Sequence, residues 1–348
     1  MRLVIIGLMM LFVVSCKQTP NKIVTMQEDV AVLAADEMGG RQTGTPGELL
    51  AAAYITERFS DIGLTPKGSE GNFTQTFSFT PSANPHEQSE FTNIQEDGSV
   101  TGTNVIGYIN NNAATTVIIG AHYDHLGMGG EGSLDREKPA IHNGADDNAS
   151  GIAILLALAD KLKNQSPTIT QNNYLFMAFS GEEMGLLGSN YFVKTPTIDT
   201  KAVSYMINMD MVGRLNNEQT LAVYGVGTSS LFKQTLFANN NQGLTINEHA
   251  SGVGPSDHTS FYLADIPVLH FFTGQHTDYH KPSDDPEKLN YEGMQQISHY
   301  ILNVVTDLDD AGQLAFKKTK NESEEVPMSI VALGVVTDYL FKGQGMSM

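Results

Sequence analysis

Short apolar runs alternate with longer helical patterns along most of this chain. Runs typical of buried strands occur at 104–109, 117–121, 174–179, 203–207, 221–224 and 267–272. The stretches that follow or separate them predict helices, at 152–162, 186–193 and 290–308. Strands that alternate with helices predict an α/β fold, a three-layer sandwich with a mixed, mainly parallel sheet and helices on both faces.

A further helix is predicted before the main series of strands. Thr45 can cap its first turn, Pro46 suits the first helical position, and Glu48 would complete a capping box. Gly63 is a typical residue at which such a helix ends. Downstream, alternation over 73–77 predicts one more strand.

The N-terminus has the pattern of an export signal. The apolar run 3–14 follows a basic residue and is too short to span a bilayer, as in a signal peptide. Residues 13–16 (VVSC) resemble a bacterial lipobox, although valine stands first where leucine is usual. The resemblance implies cleavage and lipid attachment at Cys16. We therefore expect a signal peptide over 1–15, a polar tether over 16–27, and an exported bacterial lipoprotein, membrane-anchored on the periplasmic or cell-surface side. The alternative is an ordinary signal peptide with an incidental cysteine.

Composition also divides the C-terminal part of the chain. Residues 28–309 carry the predicted strands and helices and are expected to form one domain. Residues 310–326 are polar and rich in lysine and glutamate, which predicts a linker. Residues 327–348 are apolar again and resemble the opening strands of a PDZ domain, either as a truncated PDZ-like segment or as a degenerate tail.

The charge balance narrows the range of functions. Lysine and arginine total 20 against 39 aspartate and glutamate, a formal net charge of -19. Nucleic-acid binders need a basic face for phosphates, so this balance argues against a nucleic-acid partner. The chain has a single cysteine, Cys16, which excludes intramolecular disulfides and multi-cysteine zinc sites.

Most clusters of acidic and histidine residues lie just after a predicted strand, and one pair lies directly before a predicted helix. Because the carboxyl ends of parallel strands meet at one edge of a sheet, we expect these residues to converge. Oxygen and imidazole donors without thiolate fit zinc, manganese or cobalt. Two ions about 3.5–4 Å apart, bridged by one carboxylate, would use so many ligands well. The clusters are His122 and Asp124, Asp146 and Asp147, Glu182 and Glu183, Asp210, and His280.

Five segments resemble, in order, the motifs of metallopeptidase family 28, the co-catalytic zinc aminopeptidases and their relatives. A single motif is weak, but five in order with plausible spacing are highly specific. The resemblance runs from about residue 24 to 308 and implies a zinc-exopeptidase fold and a zinc peptidase domain over 28–309. The segments are 120–124 (GAHYD), 144–151 (GADDNASG), 180–189 (SGEEMGLLGS), 208–211 (NMDM) and 278–280 (DYH).

The resemblance implies two Zn²⁺ ions, with Mn²⁺ or Co²⁺ as alternatives, and five protein ligands. One ion takes His122 and Asp210, and the other takes Glu183 and His280. Asp146 is expected to bridge the two ions. Spacing alone does not distinguish the ligand from the base in the adjacent pair of glutamates.

The resemblance also implies roles for residues that are not ligands. Glu182 is the expected general base, which takes a proton from the attacking water and delivers it to the leaving amine. Tyr279 is expected to hydrogen-bond the developing oxyanion. Asp124 is expected to orient the first histidine ligand, and Asp147 to hold the geometry of its neighbour. His258 is a candidate substrate contact.

The remaining histidines are predicted to have ordinary roles. His270 lies in an apolar strand and is expected in the core. His276 is expected at the surface or in a loop. His125 and His142 flank the site loop and are expected only to line it.

These residues predict an aminopeptidase that acts on peptides and touches the membrane only through its lipid. A glutaminyl cyclase-like acyltransferase shares the fold but generally uses one zinc. A carboxypeptidase or dipeptidase of the same family would need a basic pocket for the substrate carboxylate. A non-catalytic ectodomain fits the sequence less well, because all five ligands and the base are present. A two-metal phosphoesterase uses similar ligands, but the ordered segments do not resemble one.

Overall fold

A computed structural model describes residues 24–81, 89–92, 98–130, 132–135 and 137–319, and one mixed β-sheet forms its centre. Every apolar run predicted to be a strand coincides with a strand of this sheet. The ten described strands are β1 (Thr65–Pro66), β2 (Thr74–Thr80), β3 (Glu90–Thr92), β4 (Val100–Ile109), β5 (Thr115–His122), β6 (Asn172–Phe179), β7 (Val203–Met209), β8 (Thr220–Tyr224), β9 (Thr245–Glu248) and β10 (Val268–Phe272).

Four neighbouring strands in the middle of the sheet are parallel, in the order β6-β5-β7-β10. Antiparallel pairs flank them, with β4 against β6 on one side and β8 against β10 on the other. Beyond these, β1 and β2 pair antiparallel with β4, β3 pairs antiparallel with β2, and β9 pairs in parallel with β8. The predicted mixed sheet is confirmed. Its parallel part gives the four central strands a common carboxyl edge, where sites form in α/β folds.

Helices cover both faces of the sheet. On one face, α4 and α6 contribute Phe192 and Phe261 to a core that includes Leu175 of β6. The other five helices pack on the opposite face around a larger apolar core. The three-layer prediction is therefore confirmed. The helices are α1 (Met26–Leu33), α2 (Pro46–Ile62), α3 (Gly151–Asp160), α4 (Leu187–Lys194), α5 (Phe232–Ala238), α6 (His258–Tyr262) and α7 (Tyr291–Asp307).

The predicted ends of α2 are confirmed, with one difference in the capping. Thr45 Oγ1 accepts the Glu48 backbone N–H, and Gly63 ends the helix in the left-handed region with φ 86°. The Glu48 side chain does not return to the backbone of Thr45. It is buried, and it accepts the backbone N–H groups of Gly44 and Thr103 at 2.6 and 2.9 Å. The Glu48 side chain thereby connects the first turn of α2 to β4.

Both boundaries predicted for the domain differ from the structure. The described part of the predicted tether includes Thr25 and Met26, the N-cap and first residue of α1. The predicted linker is not a free linker up to Thr319. Leu314 is buried in the core, Phe316 packs on Tyr262, and the Thr319 backbone N–H donates to the Tyr262 hydroxyl.

The predicted signal peptide, the Cys16 lipidation site and the PDZ-like segment all lie outside the described residues. Within the described ranges, every helix is too short or too polar to cross a bilayer.

Candidate metal centre

Five segments bring the predicted site residues together at the common carboxyl edge of the central strands. His122 ends β5, and Asp210 directly follows β7. Glu182 and Glu183 lie just beyond the end of β6. The loop after β10 carries His280, and an irregular helical turn over Ala145–Ser150 precedes α3. The predicted convergence of these segments is confirmed.

One group of potential ligands forms around His122. Its Nε2 atom lies 3.3 Å from Asp210 Oδ1 and 3.4 Å from Asp147 Oδ1. Glu182 also brings an oxygen within 4.8 Å of the His122 and Asp210 ligand atoms. His122 is buried, whereas Glu182 and Asp210 are partly exposed.

A second group forms around His280. Its Nε2 atom lies 3.2 Å from Asp147 Oδ2 and 3.2 Å from Glu183 Oε2. Asp147 therefore directs one carboxylate oxygen to each group. Two ligand atoms on a tetrahedral zinc ion, each about 2.0–2.2 Å from it, lie about 3.3–3.6 Å apart. The spacings within both groups are close to that range.

The prediction that Asp146 bridges the two groups is wrong, because its carboxylate points away from them. Asp146 Oδ1 accepts the Gly213 backbone N–H at 2.6 Å, and Oδ2 lies 3.1 Å from His276 Nε2. His276 is thus a partner of Asp146 and not only a loop residue. The two aspartates exchange their predicted roles, since Asp147 lies between the histidines and Asp146 supports the loop.

Asp284 fixes the backbone of this aspartate pair. Its Oδ2 atom accepts the backbone N–H groups of Asp146 and Asp147 at 2.9 and 3.1 Å. On the other side, the buried Arg41 guanidinium donates to four backbone carbonyls, and burial lowers the pKa of Arg41 to about 10. These carbonyls belong to Leu33, Tyr123, Asn143 and Gly144. Neither Asp284 nor Arg41 was predicted from the sequence to have a role at the site.

Backbone carbonyls orient both histidines. His280 Nδ1 donates to the Gly132 carbonyl at 2.8 Å, which leaves Nε2 free as a ligand. His122 Nδ1 lies 3.2 Å from the Asp124 backbone carbonyl but 3.7 Å from the Asp124 carboxylate. Asp124 therefore orients His122 mainly through its backbone. Its carboxylate instead accepts the Thr43 hydroxyl and the Glu182 backbone N–H, each at 3.1 Å.

Glu182 lies in an environment that favours its protonated form. Burial raises the pKa of Glu182, His122 lowers it, and the Asp210 carboxylate raises it, with a net result well above the usual range. Asp257, which the sequence analysis did not single out, raises it further. Burial also raises the pKa of Asp257 itself to about 7.

The neighbouring Glu183 is held ionised. Burial raises the pKa of Glu183, but His280 and a hydrogen bond from His125 outweigh burial and hold this pKa well below its usual range. Burial lowers the pKa of His280, but the carboxylates of Glu183 and Asp147 raise it to about 11. Both pKa shifts show that the region around Glu183 and His280 stabilises positive charge.

The donor set fits a pair of zinc ions. Four carboxylates face two imidazoles here, and burying like charges is costly unless cations neutralise them. Each group offers nitrogen and oxygen donors at zinc-like spacings, and one carboxylate serves both groups. The four carboxylates are those of Asp147, Glu182, Glu183 and Asp210.

A cavity opens beside the two groups, and Tyr279 lines it. Burial raises the pKa of Tyr279 above its usual range, so its hydroxyl stays protonated. His258 does not line the cavity, contrary to its predicted substrate contact. It is fully buried and stacks on His270 at 4.3 Å, and His270 reaches the cavity. The remaining wall is mostly apolar, from Met211, Tyr224, Pro255, Phe272 and Gln275.

A comparison with protein families decides the family of this chain. The sequence model of Peptidase family M28 matches residues 104–305, which is more than half of the chain. The chain belongs to Peptidase family M28. The matched segment contains both groups of potential ligands, and the resemblance inferred from the five motifs is confirmed.

Two relatives show the extent of the sequence similarity. The alkaline phosphatase isozyme conversion protein of Escherichia coli is 33% identical over 173 residues, 49% of this chain and 46% of that protein. A probable leucine aminopeptidase of Arthroderma otae is 28% identical over 222 residues, 61% of this chain and 58% of that protein. The chain therefore spans roughly half of the length of the relatives it matches.

Solved structures show the same fold. A leucine aminopeptidase precursor from Bacteroides thetaiotaomicron aligns with a TM-score of 0.63 at 16% identity, covering 81% of this chain and 96% of that one. The glutaminyl cyclase of that organism, bound to N-acetylhistamine, aligns with a TM-score of 0.64 at 16% identity, covering 81% and 97%. At these identities the likeness shows the fold alone, which is the predicted zinc-exopeptidase fold.

Proposed function

We propose that this M28 chain is a two-zinc aminopeptidase. The division of the Asp147 carboxylate between His122 and His280 carries the proposal, because it creates two complete groups of ligands around one shared side chain. His122, Asp147 and Asp210 would hold one ion. Asp147, Glu183 and His280 would hold the other. A cyclase-like enzyme with one zinc would not need both groups.

The residues around these groups suit hydrolysis of a peptide bond. Zinc held there supplies Lewis acidity, which polarises a carbonyl and makes water more acidic. Glu182 takes a proton from the attacking water and passes it to the leaving amine, in keeping with its raised pKa. Tyr279 keeps its proton and donates a hydrogen bond to the developing oxyanion.

The cavity favours a free amino terminus over a free carboxylate. Its described lining contains acidic, aromatic and apolar side chains but neither lysine nor arginine. A protonated α-amino group finds the acidic side chains of Glu182 and Asp210 there, whereas a substrate carboxylate finds neither lysine nor arginine among the described lining residues. Phe272, Tyr224 and Met211 provide an apolar wall for the first side chain of the substrate.

The test combines metal content with a panel of aminoacyl-nitroanilides. The protein without residues 1–16 is expected to hold two zinc ions per chain and to release nitroaniline. A chelator should abolish the release and added zinc should restore it. Apolar aminoacyl groups should be preferred over acidic ones, because the cavity is already acidic.

Other outcomes of this test point to other reactions. Two ions without nitroaniline release would contradict the aminopeptidase and favour carboxypeptidase or dipeptidase substrates. One ion without release would favour a glutaminyl cyclase, which a peptide with N-terminal glutamine would then detect.

We also propose that the chain is an exported lipoprotein anchored through Cys16. The lipobox-like residues 13–16 support this proposal. Cells that express the chain should incorporate a labelled fatty acid into it and retain it in the membrane fraction, while Cys16→Ser should lose both. Labelling that survives Cys16→Ser would contradict the proposal.

A further inference from the structure

His125 follows Asp124 in the loop after β5 and lies buried against Glu183. Its exposed fraction is 1%, and its Nδ1 atom lies 2.7 Å from Glu183 Oε1. The resemblance assigns this histidine no function, and the sequence predicted only that it lines the site. The contact with a carboxylate of the second group indicates a more specific role.

The distances distinguish a hydrogen bond from a metal ligand. A separation of 2.7 Å is typical of a hydrogen bond to a carboxylate and is short for two ligands of one zinc ion, which lie about 3.3–3.6 Å apart. His125 Nδ1 is 3.9 Å from Asp147 Oδ2, which is longer than those ligand spacings. The other Glu183 oxygen, Oε2, faces His280 at 3.2 Å. Glu183 thus has one oxygen for His125 and one for an ion.

The surroundings of the ring determine which nitrogen carries the proton. Within the described residues, His125 Nε2 is buried without a hydrogen-bond partner. A proton on Nε2 would leave a buried donor unpaired and direct the Nδ1 lone pair at a carboxylate. A proton on Nδ1 avoids both costs.

The ring is also fixed in place. A Cβ atom on Gly144 would lie 2.6 Å from His125 Cδ2, so the backbone at Gly144 packs directly on the imidazole. The φ of Gly144 is +54°, in the left-handed region, which adds to the requirement for glycine there.

We infer that His125 is a positioning residue for the second ion. Its Nδ1–H holds Glu183 Oε1, so that Oε2 is directed at the position shared with His280 and Asp147. The inference rests on the proposed two-zinc site. Removing the partner of a metal-ligating side chain typically lowers metal affinity by about 10–100-fold.

The test titrates zinc into the zinc-free protein in competition with a chelator. His125→Leu should lower the affinity for one zinc ion by about 10–100-fold and leave the affinity for the other unchanged. His125→Asn should recover most of that affinity, because its amide nitrogen stands at the position of Nδ1. Glu183→Gln should lower the affinity for the same ion, which identifies it as the ion that Glu183 binds.

His142 provides the matched control. It is a buried histidine whose ring lies 6.4 Å from that of His125, and among the described residues its ring nitrogens hydrogen-bond to Ser133 and Ala140 of its own loop. His142→Leu should leave both affinities unchanged. Equal losses in His142→Leu and His125→Leu would overturn the inference, because they would reflect a general disturbance of the loop. A His125→Asn variant as weak as His125→Leu would also overturn it.

The metal count of the wild type separates this inference from the proposed function. A wild type that binds one ion contradicts the two-zinc proposal. The role of His125 then holds if both Glu183→Gln and His125→Leu weaken that ion, and it fails if either variant leaves the ion unchanged.

Discussion

Asp124 Oδ1 accepts the backbone N–H of Glu182 at 3.1 Å. This bond joins the loop after β5 to the loop after β6 and helps to fix the backbone of the glutamate pair. The two neighbouring carboxylates can then serve different purposes. Glu183 turns to His280, whereas Glu182 remains beside the first group and the cavity.

Replacing the base should separate catalysis from metal binding. We expect Glu182→Gln to lower nitroaniline release by about 10²–10⁴-fold, the usual contribution of general acid–base catalysis. The variant should retain both zinc ions, as measured by metal analysis after dialysis. Glu183→Gln is the control and should lose one ion. Loss of an ion from Glu182→Gln would mean that Glu182 is a ligand.

Substitutions of the two aspartates in the loop before α3 should differ sharply in their effect on zinc affinity. Asp147→Asn removes the charge shared by both groups and should lower the affinity for both zinc ions by more than about tenfold. Asp146→Asn keeps an oxygen that can accept the Gly213 N–H and should have a smaller effect. Zinc titration against a chelator measures both variants. A larger loss in Asp146→Asn would restore the bridging role first expected for that residue.

Stability should depend on pH through Asp257. The folded state keeps this proton up to about pH 7, whereas the ordinary pKa is 3.8. The folded protein therefore binds more protons than the unfolded chain between those values, and its stability falls as the pH rises through that window. Zinc-free Asp257→Asn should lack this fall. It should melt above the wild type at pH 8 and close to it at pH 4. The same change of melting temperature with pH in both proteins would contradict the expectation.

Arg41 should be a major source of stability. Its guanidinium donates to four backbone carbonyls from three segments, and lysine cannot reproduce that fork. We expect Arg41→Lys to lower the free energy of unfolding by about 2–4 kcal/mol in a denaturant titration, because buried carbonyls lose their donors. Lys233→Met is the control. It breaks an exposed pair with Glu248 and should cost less than about 1 kcal/mol.

Much of the fold could be predicted because its central strands are buried on both faces and read as continuous apolar runs. The runs at 117–121 and 174–179 became β5 and β6 for this reason. The short helix α1 was missed because it has only eight residues and most of its apolar residues form one run at 30–33 without helical spacing. The packing of Leu314 and Phe316 was missed because isolated apolar residues in a polar segment carry little signal.

The segments that form the site were predicted from the sequence, but the role of each carboxylate was not. Asp146 and Asp147 are chemically identical, and the choice between them depends on how the backbone turns. Asp147 has φ -107° and ψ 88° inside the irregular turn, which no sequence pattern reveals. Arg41 and Asp284 act through backbone groups of distant segments, so nothing near them in sequence indicates their partners. For His125 a signal was available, since it stands three residues after His122 and directly follows the motif at 120–124.

The ligand atoms come from segments spread between residues 122 and 280, and they meet only when the sheet is complete. An unfolded chain offers no such arrangement, so ions held here bind the native state almost exclusively. By mass action their binding free energy adds to the folding free energy. The concentration of free zinc around the protein would then set its lifetime against unfolding and proteolysis, and scarcity of the metal would remove the protein as well as its activity.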